Sequence, residues 1–395
     1  MRICLYTETA IPMLGGQALV VDALARQFAA LGHDAVVLAP KQRSAGATDD
    51  AALPYTLVRH PRLVSTRWFV RCYGWWLRRL HRQQPFDIIH CHSTYPQGYI
   101  AAACRATAGV PLVITSHGSD LDPVSLLHRK PRLRARYAAA LERADAVVAV
   151  SGATEANFRA VCPTLRCVAR IPNGVDAVRF AADVPRPERL PRGVVPGEYV
   201  LFIGRLQPRK GVDLLLHAFA RATRDGRLSL VVAGDGPEEA TLRERAAALG
   251  LGDSVQFVGR VEGDAKTWLL RHALCSAIPS RISEGFPLTL LESFAAGRPV
   301  IGTRIPGLEE LIEPQRTGLL VAPDAVDELA RAMGRLIANR TLAETMGRAA
   351  RNAVRGYDWR IIARRHVELF EDVIAERAVR HVALEDSYAR VRRAA

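Results

Sequence analysis

Short apolar runs alternate along the first half of the chain with longer segments in which apolar residues recur at helical spacing. The apolar runs predict strands at residues 2–7, 35–38, 55–58, 87–91, 112–115, 146–150 and 167–171. The helical spacing predicts helices that include residues 99–107, 130–143 and 154–160. The first helix, which ends before Gly32, shows the pattern in Val20, Leu24, Phe28 and Leu31. This alternation predicts an α/β fold with a mostly parallel, doubly wound sheet, which binds ligands at the carboxyl ends of its strands.

A second series of the same kind begins at residue 199. It follows a group of four prolines, Pro185, Pro187, Pro191 and Pro196. The predicted strands of the second series include residues 199–203, 255–260, 274–278, 300–303 and 318–321, and its predicted helices include 212–224, 288–296, 326–338 and 342–355. We predict an N-terminal domain over residues 1–180, a Pro-rich linker over 181–198, a C-terminal domain over 199–356 and a long final helix over about 357–395.

Two acids eight residues apart flank one strand–loop–helix unit of the second series. Glu284 follows the strand at 274–278, and Glu292 lies about one turn into the helix that begins at residue 288. The connecting loop and helix start comprise Gly285, Phe286, Pro287 and Leu288. Free backbone N–H groups at a helix start favour an anion such as a phosphate. The same spacing also fits a solvated Glu before a helix and a second Glu stabilised by the helix dipole.

A basic loop follows the first strand of the second series, in the order Gly204-Arg205-Leu206-Gln207-Pro208-Arg209-Lys210-Gly211. Arg205 offers a planar, bidentate donor, and Lys210 offers a compact point charge. Both residues precede a helix start at the end of a strand, where a diphosphate would be favoured. The next strand leads into Gly234-Asp235-Gly236-Pro237. This segment has no third glycine in the dinucleotide-binding spacing, so we do not expect NAD.

Composition describes a globular protein whose positive charge fits either an anionic partner or an ordinary arginine-rich surface. Hydrophobic residues make up 49% of the chain, charged residues make up 24%, and the formal net charge is +14. The seven cysteines include no C-x-x-C pair, which favours reduced thiols and a cytoplasmic setting. The sequence shows no signal-peptide pattern and no apolar run near the ~20 residues of a membrane span. We therefore expect a cytoplasmic protein.

His90-Cys91-His92 closes a predicted strand, where alternation turns the two histidines to one face and the cysteine to the other. Because no third ligand cluster is evident, we predict no metal site there. A further histidine, His117, ends the next predicted strand and precedes Gly118. Loop residues in this position belong to the edge of the sheet where doubly wound folds bind ligands.

Residues 59–82, the basic aromatic segment, combine three of the five tryptophans with seven arginines. Trp68, Cys72, Trp76 and Leu80 recur at helical spacing. This stripe fits a core helix with arginines on its wet face, and it fits equally an interfacial helix on a membrane. Both interpretations stay open at this point. An interfacial helix would place the protein on the inner face of the cytoplasmic membrane as a peripheral protein.

Taken together, these motifs resemble those of glycosyltransferase family 4, whose members are retaining transferases with two facing Rossmann-like domains (the GT-B fold). The residues that carry the resemblance are the Glu284…Glu292 pair, the Gly204-Arg205-Leu206…Lys210-Gly211 loop, Gly234-Asp235-Gly236-Pro237, Pro172-Asn173-Gly174-Val175-Asp176 and His117-Gly118-Ser119-Asp120. In the resembled fold the final helix crosses back to the N-terminal domain. The resemblance is specific between Gly204 and Gly307 and looser before Asn173. Asp120-Leu121-Asp122 looks like the metal–diphosphate signature of a different transferase fold, which lacks this second half, so we interpret it as a polar loop.

The resemblance implies a metal-independent transfer of a sugar from a nucleoside diphosphate sugar to a hydroxyl acceptor, without a further cofactor. Arg205 and Lys210 would bind the diphosphate together with the backbone of residues 285–288. Glu284 would contact the donor sugar and Glu292 the ribose, and His117 would orient the sugar from the other domain. The implied donor-binding set also includes Gly15 and Gly16 in the first βα loop, Gly234, and Arg260 near the base.

Envelope polysaccharide, lipopolysaccharide or glycolipid synthesis is the expected context, with a lipid-linked glycan as a candidate acceptor. Two alternatives remain. One is a nucleotide-sugar epimerase of the same fold, which would need no acceptor. The other is a non-enzymatic binder of anionic polymers, suggested by the net charge of +14, although the chain carries no recognisable nucleic-acid module.

Overall fold

The computed structural model describes residues 1–13, 15–41, 50–61, 69–104, 109–118, 130–223 and 228–394, with side chains described as far as residue 379. Among the sequence predictions, residues 62–68, residues 105–107, residues 119–122, Arg224 and Ala395 lie outside this range. The chain divides into two compact units. Unit 1 comprises Met1–Asn173 with Trp359–Ala395, and unit 2 comprises Gly174–Asp358. Residues 174–198, including the predicted Pro-rich linker, therefore group with unit 2.

Unit 1 is built on a seven-stranded parallel sheet. Its strands are β1 (Arg2–Tyr6), β2 (Asp34–Pro40), β3 (Thr56–His60), β4 (Ile88–Cys91), β5 (Leu112–Ser116), β6 (Ala146–Ala149) and β7 (Val168–Arg170). They lie in the order β3-β2-β1-β4-β5-β6-β7, and every neighbouring pair is parallel. The strand order reverses between β1 and β4, which is the switch point of a doubly wound fold.

Helices cover this sheet, and their apolar stripes form the core of unit 1. They are α1 (Gly16–Ala30), α2 (Phe69–Gln83), α3 (Tyr99–Ala103), α4 (Pro131–Arg143), α5 (Gly152–Val161) and, after the whole of unit 2, α13 (Trp359–Ala394). The final helix packs on α1, with the rings of Phe28 and Phe370 5.7 Å apart and both side chains fully buried. The predicted return of the final helix to the N-terminal domain is confirmed.

Unit 2 repeats the design with a six-stranded parallel sheet. Its strands are β8 (Tyr199–Ile203), β9 (Ser229–Ala233), β10 (Val255–Gly259), β11 (Cys275–Ile278), β12 (Val300–Thr303) and β13 (Gly318–Val321). The order is β10-β9-β8-β11-β12-β13, again parallel throughout, so the switch point lies between β8 and β11. Together the two sheets confirm the predicted pair of Rossmann-like domains.

Four of the seven helices that the structure describes in unit 2 were predicted from the sequence, and three of these four differ from the prediction at their ends. The seven helices are α6 (Ala177–Ala181), α7 (Val212–Ala222), α8 (Glu239–Ala248), α9 (Gly263–His272), α10 (Leu288–Ala295), α11 (Val326–Ala338) and α12 (Arg340–Ala353). The helix predicted at 342–355 begins two residues earlier, because Asn339 accepts a hydrogen bond from the Leu342 N–H at 2.9 Å and caps it. It gives way after Ala353 to a 3₁₀ turn at Val354–Tyr357. Within the described ranges, no helix has the length and apolar character needed to cross a bilayer.

Candidate functional site

Two loops leave the sheet of unit 2 from the strands that flank its switch point. The loop after β8 contains a short 3₁₀ turn, Pro208–Lys210, and the loop after β11 leads to Glu284. The Lys210 ammonium donates to Oε1 of Glu284 at 2.5 Å. Neighbouring strands on either side of a switch point send their loops in opposite directions, which opens a crevice for a ligand. The predicted diphosphate-binding lysine and the predicted sugar-binding acid are thus direct partners.

The Glu284 carboxylate is buried and held as an anion. Ser280 donates its hydroxyl to the same Oε1 at 2.7 Å. Burial alone would raise the pKa of Glu284, but the adjacent Lys210 ammonium and the Ser280 hydroxyl bring that pKa below its ordinary value. Lys210 and Ser280 both donate to Oε1, so Oε2 is the atom that remains for a ligand hydroxyl.

Backbone packing fixes the position of this acid. Gly307 has a φ of +90°, and a Cβ at that position would lie 2.0 Å from the Glu284 carbonyl oxygen. The Glu284 N–H donates to the Pro306 carbonyl at 3.1 Å. Thr303, at the end of β12, donates its hydroxyl to the Ser280 carbonyl at 2.5 Å. Only glycine allows this approach at residue 307, so the loop after β12 supports the loop that carries Glu284.

Glu292 lies on α10, and its partner Lys266 lies on α9. The Lys266 ammonium donates to Oε1 of Glu292 at 2.6 Å, and the two side chains are only 14% and 8% exposed. Oε2 of Glu292 is buried without a hydrogen-bond partner. The sequence analysis missed Lys266, because its pairing depends on how α9 packs beside α10. One signal was present, however, since the chain contains only 4 lysines against 50 arginines.

The loops after β8 and β9 are packed tightly together. Gly234 has a φ of +155°, and a Cβ there would lie 1.8 Å from the Gly204 carbonyl oxygen. The Gly234 N–H donates to the Gly259 carbonyl at 2.8 Å, so this amide already has a partner within the protein. The contribution of Gly234 is therefore close backbone packing, which sets the course of the loop that carries Arg205. The Arg205 side chain is exposed.

The other predicted residues of unit 2 differ in burial and in their distance from the switch point. Phe286 is buried and its ring lies 5.7 Å from that of Tyr357. Pro287 caps α10, whose first residue is Leu288, and its extended backbone lets the first-turn N–H groups point out of the helix. Arg260 follows the edge strand β10 and forms an exposed ion pair with Glu262 at 3.1 Å, away from the switch point.

In unit 1 the two predicted glycines lie at the end of the first βα loop, where α1 begins. Gly15 caps α1 with an extended backbone and Gly16 is the first helical residue. Nothing lies within 4 Å of a Cβ built at either position, and both residues are exposed. The helix start therefore presents free space at the switch point of the first sheet. Close packing inside the protein does not require a glycine at either position.

His117 belongs to a cluster of four histidines at the carboxyl edge of the unit 1 sheet, with His90, His92 and His366. Nδ1 of His92 lies 3.1 Å from Nε2 of His117 and the two rings stack. Nε2 of His90 lies 2.7 Å from the Thr115 hydroxyl. Burial lowers the pKa of His117 and of His366 to about 4, and it lowers the pKa values of His90 and His92 well below 6.5. The cluster is therefore neutral at pH 7.

The two strand-end histidines face this cluster while Cys91 lies in the core on the opposite side of the sheet, as alternation predicted. The small cavity beside His92 and His117 measures about 10 Å³, space for one water at most. Across the described ranges, no group of three or more His, Cys, Asp or Glu side chains is arranged to hold a metal ion.

The described part of the basic aromatic segment has one buried face and one exposed face. On α2, Leu77 is fully buried, whereas Trp75 is 45% exposed. The rings of Trp75 and Trp76 meet edge to face at 5.1 Å, and the Arg79 guanidinium lies over both. Trp75 and the neighbouring arginines line an open surface pocket of about 580 Å³. One face of the helix is core, and the other is a basic aromatic surface.

Comparison with known proteins identifies the family. Residues 194–353 match the family model described as glycosyl transferases group 1, and residues 14–179 match the model described as glycosyltransferase family 4. A GDP-mannose-dependent alpha-(1-6)-phosphatidylinositol monomannoside mannosyltransferase of Mycobacterium tuberculosis is 31% identical over 377 residues, which is 91% of this chain and 94% of the relative. The chain belongs to glycosyltransferase family 4. The resemblance inferred from the motifs is confirmed.

Solved structures confirm the fold of this family 4 glycosyltransferase. Sucrose-phosphate synthase from Thermosynechococcus elongatus superimposes with a TM-score of 0.81 at 23% identity, over 95% of this chain and all of that one. Anabaena HepE in complex with UDP gives a TM-score of 0.78 at 21% identity, over 94% of this chain and all of that one. Both share the GT-B fold with the glycosyltransferase described here. The relatives are transferases, so they favour transfer over the epimerase and polymer-binding alternatives.

Proposed function

We propose that this glycosyltransferase moves a sugar from a nucleoside diphosphate sugar to a hydroxyl group of a glycolipid or polysaccharide precursor, with retention of anomeric configuration and without a metal ion. The observation that carries the proposal is the Lys210–Glu284 pair at the switch point of unit 2. It places a cation and a sugar-binding carboxylate in contact beside the start of α10.

GDP-mannose is the first donor to test, because the relative that shares 31% identity is named for its dependence on it. UDP-glucose is the second, because the Anabaena protein of the same fold has been solved with it. A glycolipid acceptor is proposed from the same relative, whose name specifies a phosphatidylinositol monomannoside.

The leaving diphosphate is the group that needs stabilisation, since negative charge grows on it as the bond to the sugar breaks. Lys210 would supply an ammonium, the exposed Arg205 a guanidinium, and the start of α10 the backbone N–H groups of Leu288 and Thr289, since that of Leu290 already donates to the Pro287 carbonyl. These groups would neutralise the diphosphate, which is the task of a divalent cation in metal-dependent transfer. The transfer would therefore need no metal ion.

Glu284 would accept a hydrogen bond from a donor-sugar hydroxyl through Oε2, and Glu292 would accept from the ribose. The role of His117, contact with the donor sugar, is carried over from the family resemblance of its loop. Oε1 of Glu284 is already engaged by Lys210 and Ser280, which makes this carboxylate a poor nucleophile. We therefore favour departure and attack on one face of the sugar, with the leaving phosphate accepting the acceptor proton.

A lipid acceptor would require the enzyme to reach the inner face of the cytoplasmic membrane. The basic aromatic segment supports that position, because α2 exposes Trp75 beside Arg78, Arg79 and Arg82. Tryptophan favours the headgroup level, and each basic side chain near an anionic surface contributes about 1 kcal/mol.

The proposal is tested by incubating the purified protein with membrane extract and a panel of labelled donors that includes GDP-mannose and UDP-glucose, with and without EDTA. We expect one donor to be consumed only when the extract is present, with no effect of EDTA, and the product to keep the α configuration by NMR. A β-linked product would refute retention, and loss of turnover in EDTA would refute metal independence. Epimer formation from the donor alone would refute transfer.

A further inference from the structure

Glu284 and Glu292 are the only buried carboxylates in the described part of the chain, and each one is paired with a lysine. Lysine is scarce in this chain, which has 4 lysines against 50 arginines, so composition alone would favour arginine as the partner of both acids. The other two lysines, Lys41 and Lys130, are exposed. A chain that otherwise uses arginine for its positive charge thus places half of its lysines on the two acids of the donor site.

Arginine and lysine bind a carboxylate differently. Arg281 donates to both oxygens of Asp213, at 2.8 and 2.7 Å, and Arg59 donates to both oxygens of Asp50, each at 3.0 Å. In these two pairs the planar guanidinium matches the carboxylate fork and occupies both acceptor atoms. An ammonium is a compact charge that can neutralise the carboxylate through one oxygen alone.

The Lys266–Glu292 pair shows this single-oxygen arrangement in a buried setting. Lys266 donates to Oε1 of Glu292 at 2.6 Å, while Oε2 is buried and has no hydrogen-bond partner. The Lys266 ammonium also lies 5.7 Å from the ring centre of Phe180, which is itself 5% exposed. Phe180 lies on α6, which packs against both α9 and α10. Lys266 is therefore held on one side of the carboxylate.

We infer that Lys266 is a positioning residue for donor recognition: it orients Glu292 through Oε1 so that Oε2 accepts a hydrogen bond from a ribose hydroxyl. The inference rests on the proposed contact between Glu292 and the ribose. An unpaired acceptor in a buried site is costly to the protein unless a ligand satisfies it. A lysine meets both requirements, since it compensates the charge and leaves the second oxygen open.

Two substitutions of Lys266, to Arg and to Met, should both impair recognition of the ribose. Lys266→Arg preserves the charge, but the guanidinium would take both oxygens of Glu292 and leave none for the ribose. Lys266→Met preserves most of the side-chain volume and removes the charge, so Glu292 loses its fixed orientation. Both variants should lose recognition of the ribose hydroxyls, for different reasons.

The experiment compares calorimetric affinities for GDP and 2′,3′-dideoxy-GDP, with UDP and 2′,3′-dideoxy-UDP as a parallel pair, and uses the pair that binds more tightly. The readout is the ratio of the two affinities within each variant. A hydrogen bond to a charged acceptor corresponds to about 10- to 100-fold in affinity. We expect a ratio of at least about 10 for the wild-type protein, close to 1 for Lys266→Arg and for Glu292→Gln, and strongly reduced for Lys266→Met.

Several controls separate this effect from damage to the fold. The affinity for the dideoxy nucleotide should stay within about 3-fold in every variant, because that ligand cannot use Oε2. The exposed Lys130, replaced by Arg or Met, should leave the ratio unchanged. A wild-type ratio of 1 would overturn the ribose contact and the inference with it. A different outcome would overturn only the role of Lys266 and leave the ribose contact standing. In it, the affinity ratio falls in Glu292→Gln but keeps its wild-type value in both Lys266 variants. If Lys266→Arg lowers the thermal midpoint, the affinity ratio of Lys266→Met is the one that tests the inference.

Discussion

At the scale of single residues, the proposed donor site contains two buried carboxylates, each of which the protein compensates individually. Removing a carboxylate from water costs several kcal/mol unless a partner and further hydrogen bonds replace the lost solvation. Glu284 receives both from Lys210 and Ser280, and Glu292 receives one from Lys266. A charge held in this way is preorganised, so little reorganisation is needed when a ligand arrives.

Lys210 is the residue whose removal should affect phosphate recognition most directly. We expect Lys210→Met to weaken binding of the nucleoside diphosphate by about 10- to 100-fold while leaving the affinity for the free nucleoside nearly unchanged, because a charge-assisted contact is worth ~1.5–3 kcal/mol. Calorimetry with both ligands measures the difference, and Lys130→Met is the matched control. Equal losses for the two ligands would remove Lys210 from the diphosphate site.

Sequence spacing located three of the four residues that form the two lysine–glutamate pairs but could not show how they pair. Glu284 and Glu292 stood out by their spacing around a helix start, and Lys210 by its place after a strand. Lys210 lies 74 residues from Glu284, and Lys266 lies 26 residues from Glu292. Such contacts depend on strand order and helix packing, which local patterns do not specify.

At the scale of elements, the alternation of strands and helices was predictable because buried parallel strands are continuous apolar runs. Their ends were less predictable. The helix at residues 340–353 begins earlier than its apolar pattern because Asn339 caps it, and the predicted helix at 154–160 begins at Gly152 because Ser151 accepts from the Thr154 N–H at 3.2 Å. Capping side chains extend a helix beyond its hydrophobic stripe.

Helix α2 shows why the basic aromatic segment could not be assigned from spacing. Leu77 faces the core, while Trp75 and Arg79 face outward one turn apart. A single helix can carry a core face and a basic aromatic face, because its two faces have different neighbours.

Reversing Arg78, Arg79 and Arg82 to Glu should abolish flotation with anionic vesicles at low salt. Each arginine near the surface contributes about 1 kcal/mol, and replacement by Glu adds repulsion. The thermal midpoint should change little, since the buried Leu77 is untouched. The control reverses Arg331, Arg335 and Arg348, three exposed arginines of unit 2, and should float like the wild type. Failure of the wild type to bind anionic vesicles, or equal loss in the control, would exclude docking through α2.

At the scale of the whole molecule, two units with separate cores differ in their buried titratable groups. Unit 1 holds the four-histidine cluster, in which burial keeps every pKa below 6.5. These imidazoles are harder to protonate in the folded protein than in the unfolded chain. Between about pH 6.5 and pH 4 the unfolded state therefore binds more protons, and the stability of unit 1 falls as the pH falls through this window.

We expect calorimetric scans between pH 7.5 and pH 5 to show the melting transition of unit 1 moving to lower temperature ahead of that of unit 2. For His366 alone, a pKa lowered to about 4 corresponds to ~3 kcal/mol across the full window. Pulse proteolysis with peptide mass spectrometry assigns the transitions. His366→Gln should reduce the pH dependence, and a first transition that moves no more in the wild type than in this variant would contradict the account.

We propose that the Lys210–Glu284 pair faces the donor sugar. The most direct measurement compares Glu284→Gln with the wild type in two quantities, turnover of the intact donor and affinity for the bare nucleoside diphosphate. Lys210 and Ser280 both donate to Oε1, so we propose Oε2 of Glu284 for a sugar hydroxyl and other groups for the diphosphate. The account predicts that turnover falls by about 100-fold or more while nucleotide affinity stays within about 3-fold. Turnover close to that of the wild type, or a parallel loss of nucleotide binding, would contradict it.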